Sequence, residues 1–301
     1  MNKKFILLTI IAVIIISLNT CSFALTTLYE KTKEEQISSG VILKNYNKFT
    51  EKGWLDINVL EVDLEDKYTS IGLLTSENGL NTFQTVLEMA EKTESIAAIN
   101  GDFFGGNYQN GYTVGFSASE GDILTSTYKG NELKDEFATF ILDKDNSAFL
   151  DYFNNVITLK KKGSDKSFTI KEFNRPSDNY EERPSLFTTE WGEKSIGSFS
   201  YLPLVEMVVK NNKVKEIRFN EEAVEIPKDG YVITAAGTLA EYIKDNFKVG
   251  NKVELDISLN VDISKIQTAI SGRSYISKRW RNPLFLCQYN WFTPKNCFRY
   301  F

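Results

Sequence analysis

What most constrains this chain is its punctuation. Between Gly40 and Val261 the apolar runs are short, and many of them stop at Asn, Asp, Gly or Lys turn residues. Short polar connections between such runs favour antiparallel neighbours, because a parallel crossover needs a long connection. Gly111–Ser117 and Asp122–Ser126 read as a hairpin closed near Ser119-Glu120-Gly121. Phe137–Leu142 and Ala148–Tyr152 read as another, turned by Asp143-Lys144-Asp145-Asn146. Leu204–Val209 and Val214–Phe219 pair across Asn211-Asn212-Lys213, whose asparagines tolerate left-handed backbone.

Gly40–Tyr46 and Leu55–Leu64 alternate apolar and polar residues as half-buried strands do, and Tyr68–Leu74 continues in that style. Glu61 and Asp63 fall on the solvated parity. Val156–Lys160, Phe168–Phe173, Tyr231–Ala236 and Lys252–Val261 are further strands. Helical spacing occurs twice. Thr82–Glu94 places Phe83, Val86, Leu87 and Ala90 on one face behind Asn81 or Thr82 as N-cap, and Thr238–Phe247 follows Gly237. Arg175–Gly197, with two prolines and several acids, reads as a long surface loop, and Lys31–Ser39 as a polar linker. The fold class is therefore α+β, mostly antiparallel sheet with a few packed helices.

The chemistry gathers in Ser95–Gly106, Ser-Ile-Ala-Ala-Ile-Asn-Gly-Asp-Phe-Phe-Gly-Gly. Ile96–Ile99 reads as a buried strand that meets Asn100-Gly101, a turn pair that tolerates positive φ. An acid, Asp102, two aromatics, Phe103 and Phe104, and two glycines follow. Polar groups are thus delivered at a strand end, beside backbone that lets a ligand come close. The alternative is a plain strand-to-turn junction with Asp102 capping its own loop.

Composition narrows the chemistry. There is no histidine, which excludes Ser-His-Asp and Cys-His catalysis and histidine-bound zinc. Proton transfer is left mainly to carboxylates, lysine or tyrosine. Net charge is −5 and no basic stripe precedes the last thirty or so residues, so nucleic acid is not an expected partner. The apolar fraction of 42% and charged fraction of 25% are ordinary for a globular protein. Residues 1–24 carry Lys3-Lys4, an apolar stretch from Phe5 to Leu18 and a Ser22-Phe23-Ala24 exit, as a secretory signal peptide does. A lipoprotein Cys21 or an uncleaved anchor is the alternative, and the membrane is expected as a partner only through an uncleaved leader. Cys21 lies in that segment, and Cys287 and Cys297 lie in the tail, so the body has no disulfide framework.

The text changes after Gly272. The preceding body holds three arginines, Arg175, Arg183 and Arg218, whereas the tail holds four, with Trp280, Trp291 and no Asp or Glu. It has neither helical period nor strand alternation. One reading is out-of-frame sequence over 273–301; the other is an authentic basic-aromatic tail that binds a wall polymer or a membrane surface.

Several ordered stretches resemble the phosphodiester glycosidase family, the family of the lysosomal uncovering enzyme. They are Asn58-Val-Leu-Glu-Val-Asp-Leu64, Ala97-Ala-Ile-Asn-Gly-Asp-Phe-Phe104, Gly115–Leu124, Ala138-Thr-Phe140, Val224–Val232, Val249-Gly-Asn-Lys-Val253 and Ala269-Ile-Ser-Gly272. The resemblance spans about Gly40 to Gly272. In that family an Arg-Thr pair, an Asp-Gly-Arg strand and an Asn-Leu-Asp-Gly-Gly-Gly-Ser run follow, and none is in this chain, which leaves the expected fold incomplete at its C-terminal end. The resemblance implies an exported hydrolase acting on a sugar-phosphate diester or a related wall or exopolysaccharide linkage, inactive in this form. Asp102 would be the general acid/base or a metal-facing carboxylate, and Asn100 a hydrogen bonder to substrate. Gly101, Phe103 and Phe104 would contact the glycan. Glu190-Trp191 could stack a sugar, although a packing role suits that tryptophan better. Neither a dedicated metal site nor a cofactor is specified. A non-catalytic wall- or surface-binding module is the other function class.

Overall fold

The computed structural model describes residues 26–106, 111–127, 137–199 and 202–272. The signal-peptide and tail readings lie outside them. The chain divides into two compact units, Met1–Ser70 and Ile71–Phe301.

In the first unit, β1 (Thr27–Ser38), β2 (Val41–Thr50) and β3 (Gly53–Val62) form an antiparallel meander. The linker expected over Lys31–Ser39 is thus part of a twelve-residue edge strand instead. Its residues are nearly all exposed, so no apolar pattern marks it. The ladder to β2 satisfies its backbone, and Glu30–Lys48 at 3.1 Å supports the pairing. The β2–β3 turn is closed by Gly53, with φ 111°.

The second unit is built from hairpins. β6 (Ser117–Ser119) and β7 (Asp122–Thr125) turn at Glu120-Gly121, both at positive φ. β8 (Ala138–Asp143) and β9 (Ala148–Tyr152) turn over Asp143, whose Oδ1 accepts from the amides of Asp145 at 2.9 Å and Ser147 at 2.8 Å. β18 (Ile266–Ser271) lies between β6 and β8 and completes a five-stranded sheet in the order β7-β6-β18-β8-β9. Phe116, Ile141, Phe153 and Ala269 pack together there, Phe116 and Phe153 stacked at 4.1 Å.

A second five-stranded sheet runs β12-β13-β16-β14-β15: Glu172–Phe173, Ser185–Phe187, Gly230–Ala235, Val205–Lys210 and Lys213–Phe219. Its β14–β15 turn uses Asn211 and Asn212 at φ 50° and 56°. A three-stranded sheet orders β11 (Ser167–Ile170), β10 (Asn155–Lys161) and β17 (Val253–Leu259). The largest core joins the last two sheets to a helix at Gly237–Asn246 through Ile157, Leu186, Met207, Ile233 and Phe247. The protein is accordingly a β-dominated α+β fold.

Four local expectations are corrected. The Phe168–Phe173 run divides between β11 and β12, which join different sheets. The Arg175–Gly197 segment is no surface loop, since β13 lies within it and Tyr180, Leu186, Phe187 and Trp191 are buried. Tyr68–Leu74 forms no strand. The first helix, α1, is shorter than expected at Val86–Lys92; the hydroxyl of Thr82 donates to Gly79 O at 2.9 Å, leaving Thr85 to cap. We number the Gly237–Asn246 helix α2. Neither helix is long and apolar enough to cross a membrane.

Candidate functional site

Asn100-Gly101-Asp102 runs beside β18. Gly101 does not adopt positive φ, so turn geometry is not why it is glycine. A Cβ there would come within 2.0 Å of Ile270 Cδ1, so close packing requires its absence. The expected Ile96–Ile99 strand does not form, and Ile96 and Ile99 are exposed. Among the described residues no neighbouring strand pairs with this segment, and an apolar run without a partner ladder stays extended but irregular. After Asp102 the chain enters β4 (Phe104–Gly106), which pairs with β5 (Gly111–Thr113).

Asp102 does cap its own loop: Phe103 N–H donates to Oδ1 at 2.7 Å. It also reaches across the hairpin, its Oδ2 accepting from Gly115 N–H at 2.6 Å. The loop-capping reading of this residue is therefore observed, with a second amide contact from farther along the chain. The surroundings of Asp102 are close-packed, because a Cβ on Gly115 would lie 2.4 Å from Ser271 Cβ and 2.8 Å from Asp102 Oδ1. Burial pushes the Asp102 carboxyl up to about 7, against the pull of the Gly115, Phe103 and Val114 amides and the Arg175 charge. A carboxyl poised there can both give and take a proton at neutral pH.

Buried hydroxyls hold the strand opposite. Ser271 Oγ accepts from Phe116 N–H at 2.9 Å and shares a hydrogen bond with Thr139 Oγ1 at 2.8 Å. Thr125 Oγ1 donates to Gly115 O at 2.8 Å. Side chains thus fix both sides of the Gly115–Phe116 backbone.

Behind it lies an ion cluster in which Glu172 and Arg175 are buried and Arg183 is partly exposed. Arg175 Nε donates to Glu172 Oε2 at 2.7 Å, and Arg183 Nε to Glu172 Oε1 at 2.9 Å. The rest of the Arg175 fork donates to Val114 O, to Ser126 O at 3.2 Å and to Thr127 O at 3.2 Å.

Asn100 is half-buried next to this site, and Phe103 and Phe104 are about half exposed. Phe104 meets Phe83 edge-on at 5.5 Å, and Phe103 meets Phe137 at 6.0 Å, so both rings already have aromatic neighbours. Trp191 packs on Phe187 at 5.0 Å in the core. Among the described residues no group of three or more acidic or cysteine side chains could hold a metal ion. Sequence reasoning missed Gly115, Thr139, Ser271 and the Glu172–Arg175–Arg183 cluster. One signal was present: in a lysine-rich body, an arginine marks a position where a planar fork is needed. All three body arginines lie within 4.0 Å of a buried glutamate, Arg218 facing Glu206.

No protein-family model and no curated protein matches the sequence. Solved structures share the fold, among them these two. One, described as a hypothetical protein from Synechocystis, superposes with a TM-score of 0.68 at 15% identity, over 81% of this chain and 44% of that one. The other, from Burkholderia pseudomallei K96243, is described as a "Putative exported protein"; it gives a TM-score of 0.67 at 12% identity, over 81% of this chain and 72% of that one. The chain therefore spans less than half the length of the Synechocystis protein.

Proposed function

We propose that the chain is an exported protein of phosphodiester glycosidase type, acting on a sugar-phosphate diester or a related wall or exopolysaccharide linkage. The observation that carries this reading is Asp102, a carboxyl pushed up to about 7 in the stretch that most resembles that family. Cleavage at an anomeric centre needs a proton donor to the leaving oxygen, and a carboxyl titrating near neutrality supplies one. In this reading Asn100 hydrogen-bonds substrate, with Phe103 and Phe104 as glycan contacts. Export is supported by the leader-like 1–24 segment and by the description of the Burkholderia structure. The family's later arginine and acid motifs are not in this sequence, so turnover is expected to be slow or absent while substrate still binds.

The test is to incubate the chain with an N-acetylglucosamine-1-phosphate methyl diester. Hydrolysis is followed by ³¹P NMR, and binding by line broadening of the sugar resonances. Broadening by the wild type that Asn100→Ala abolishes is expected. Any turnover should fall by about 10²–10⁴-fold in Asp102→Asn. A wild type that neither binds nor cleaves the diester overturns the reading.

A second reading, a non-catalytic wall-binding module, rests on the first unit. Tyr29, Phe49 and Trp54 are directly opposed across β1, β2 and β3 and form one aromatic row. Trp54 is 60% exposed and Tyr29 51%. Exposed aromatic faces suit a sugar ring. Retention on insoluble wall polysaccharide that Trp54→Ala abolishes would favour this reading.

A further inference from the structure

Two observations made separately above concern the same peptide group. The Arg175 guanidinium donates to the carbonyl oxygen of Val114. The amide N–H on the other side of that planar unit, on Gly115, donates to Asp102 Oδ2 at 2.6 Å. A fixed cation at the oxygen end of an amide draws electron density toward oxygen and makes its N–H a stronger donor. The amide plane is rigid, so fixing the carbonyl also fixes where the N–H points.

We propose that Arg175 is a positioning residue for Asp102, acting through the Val114–Gly115 peptide group. The guanidinium holds the carbonyl end, and the amide end holds and orients the carboxylate. This rests on the reading of Asp102 as the acid/base group only for its catalytic purpose; the linkage itself is structural.

The rest of the cluster fits this role. Arg175 is 1% exposed, and four further contacts lock its fork: Glu172, Ser126 O, Ser126 Oγ at 3.3 Å and Thr127 O. Glu172 is itself held by Arg183, so the guanidinium cannot swing away from Val114 without breaking a buried ion pair. Arg175 is the charged group that acts on Asp102, and Glu172 and Arg183 lie behind it. Without the linkage, Asp102 would keep its burial but lose the fixed orientation of the Gly115 amide, the strongest of the contacts that oppose that burial. A lysine could replace the charge but not the fork that holds both Glu172 and the carbonyl.

The test titrates Asp102 in the full chain by ¹³Cγ NMR and follows the Gly115 amide proton, in the wild type, Arg175→Lys, Arg175→Gln and Arg183→Gln. In the wild type the Gly115 amide should move with the Asp102 midpoint. It should also show a through-hydrogen-bond coupling to the Asp102 carboxyl carbon, a readout that requires no variant to fold. In Arg175→Gln the proton affinity of Asp102 should rise about tenfold, with the Gly115 amide shifted upfield. In Arg175→Lys the midpoint should stay closer to wild type while the Gly115 amide still shifts, separating charge from geometry. Arg183→Gln should leave the Gly115 amide in place.

No coupling in the wild type overturns the proposal. So does an Asp102 titration and Gly115 amide unmoved in both Arg175 variants, or an Arg183→Gln effect as large as that of Arg175→Gln. A responding titration, together with turnover that survives Asp102→Asn, would keep this linkage and sink only the catalytic reading.

Discussion

At Gly101 and Gly115 the useful property is the side chain that is not there. Alanine at 101 would drive its Cβ to 2.0 Å from Ile270 Cδ1. We expect Gly101→Ala to cost about 1–3 kcal/mol in denaturant unfolding. Ile270→Val removes the colliding atom, so the double variant should be more stable than the sum of the two single effects. Gly115→Ala meets Ser271 Cβ at 2.4 Å, a contact that cannot relax by turning a flexible chain end, and Asp102 Oδ1 at 2.8 Å. It should destabilise the fold and displace the Asp102 midpoint together, whereas Gly101→Ala should shift that midpoint less. Measuring both quantities on both variants separates packing from site geometry.

At the element scale, α1 and β1 hold their form with little burial. No α1 residue is buried, and Leu87 is 66% exposed. Its order therefore leans on its ends. Thr85 N–H donates to Glu88 Oε2 at 2.9 Å, and Glu88 N–H to Thr85 Oγ1 at 3.2 Å. Thr85→Ala should weaken this helix by about 1 kcal/mol, read as faster amide exchange at Met89 and Ala90 with the global unfolding midpoint nearly unchanged. The same experiment should rank strands by position. β1 pairs on one side only and is exposed, whereas β16 is flanked by β13 and β14 with Val232, Ile233 and Thr234 fully buried. Amides of β1 should exchange orders of magnitude faster than those of β16. Equal protection would contradict the burial pattern.

Over the whole molecule, stability should depend on pH through its buried acids. Burial raises both Asp102, to about 7, and Glu206. A carboxyl whose folded pKa is raised binds protons more tightly in the folded than in the unfolded chain. The stabilisation is therefore fully present below about 4 and is lost as pH climbs through the folded value. The Asp102 contribution should decline between about 4 and about 7 and then level, with an upper bound on the order of 4 kcal/mol. Asp102→Asn should flatten the stability-versus-pH curve over that window. An unchanged slope would mean that the carboxyl is better solvated than its surroundings indicate.

The hairpins were legible because a turn is a local matter. Glu120-Gly121, Asp143–Asn146 and Asn211-Asn212 carry their left-handed or side-chain-capped geometry in the residues themselves, and each turn formed where it was expected. The alternation of the flanking runs likewise conveyed a mainly antiparallel sheet. What the sequence could not convey depends on partners far along the chain. β1 has no apolar pattern to display, because an edge strand needs only a neighbour's ladder. β12 and β13 pair in parallel, which no short turn announces. Arg175 looked like a loop residue until tertiary contacts brought Glu172, Ser126 and Val114 around it. Backbone propensity acts over a few residues and can be read directly, whereas the burial of a charge and the pKa of a carboxyl are set by residues that only folding brings together.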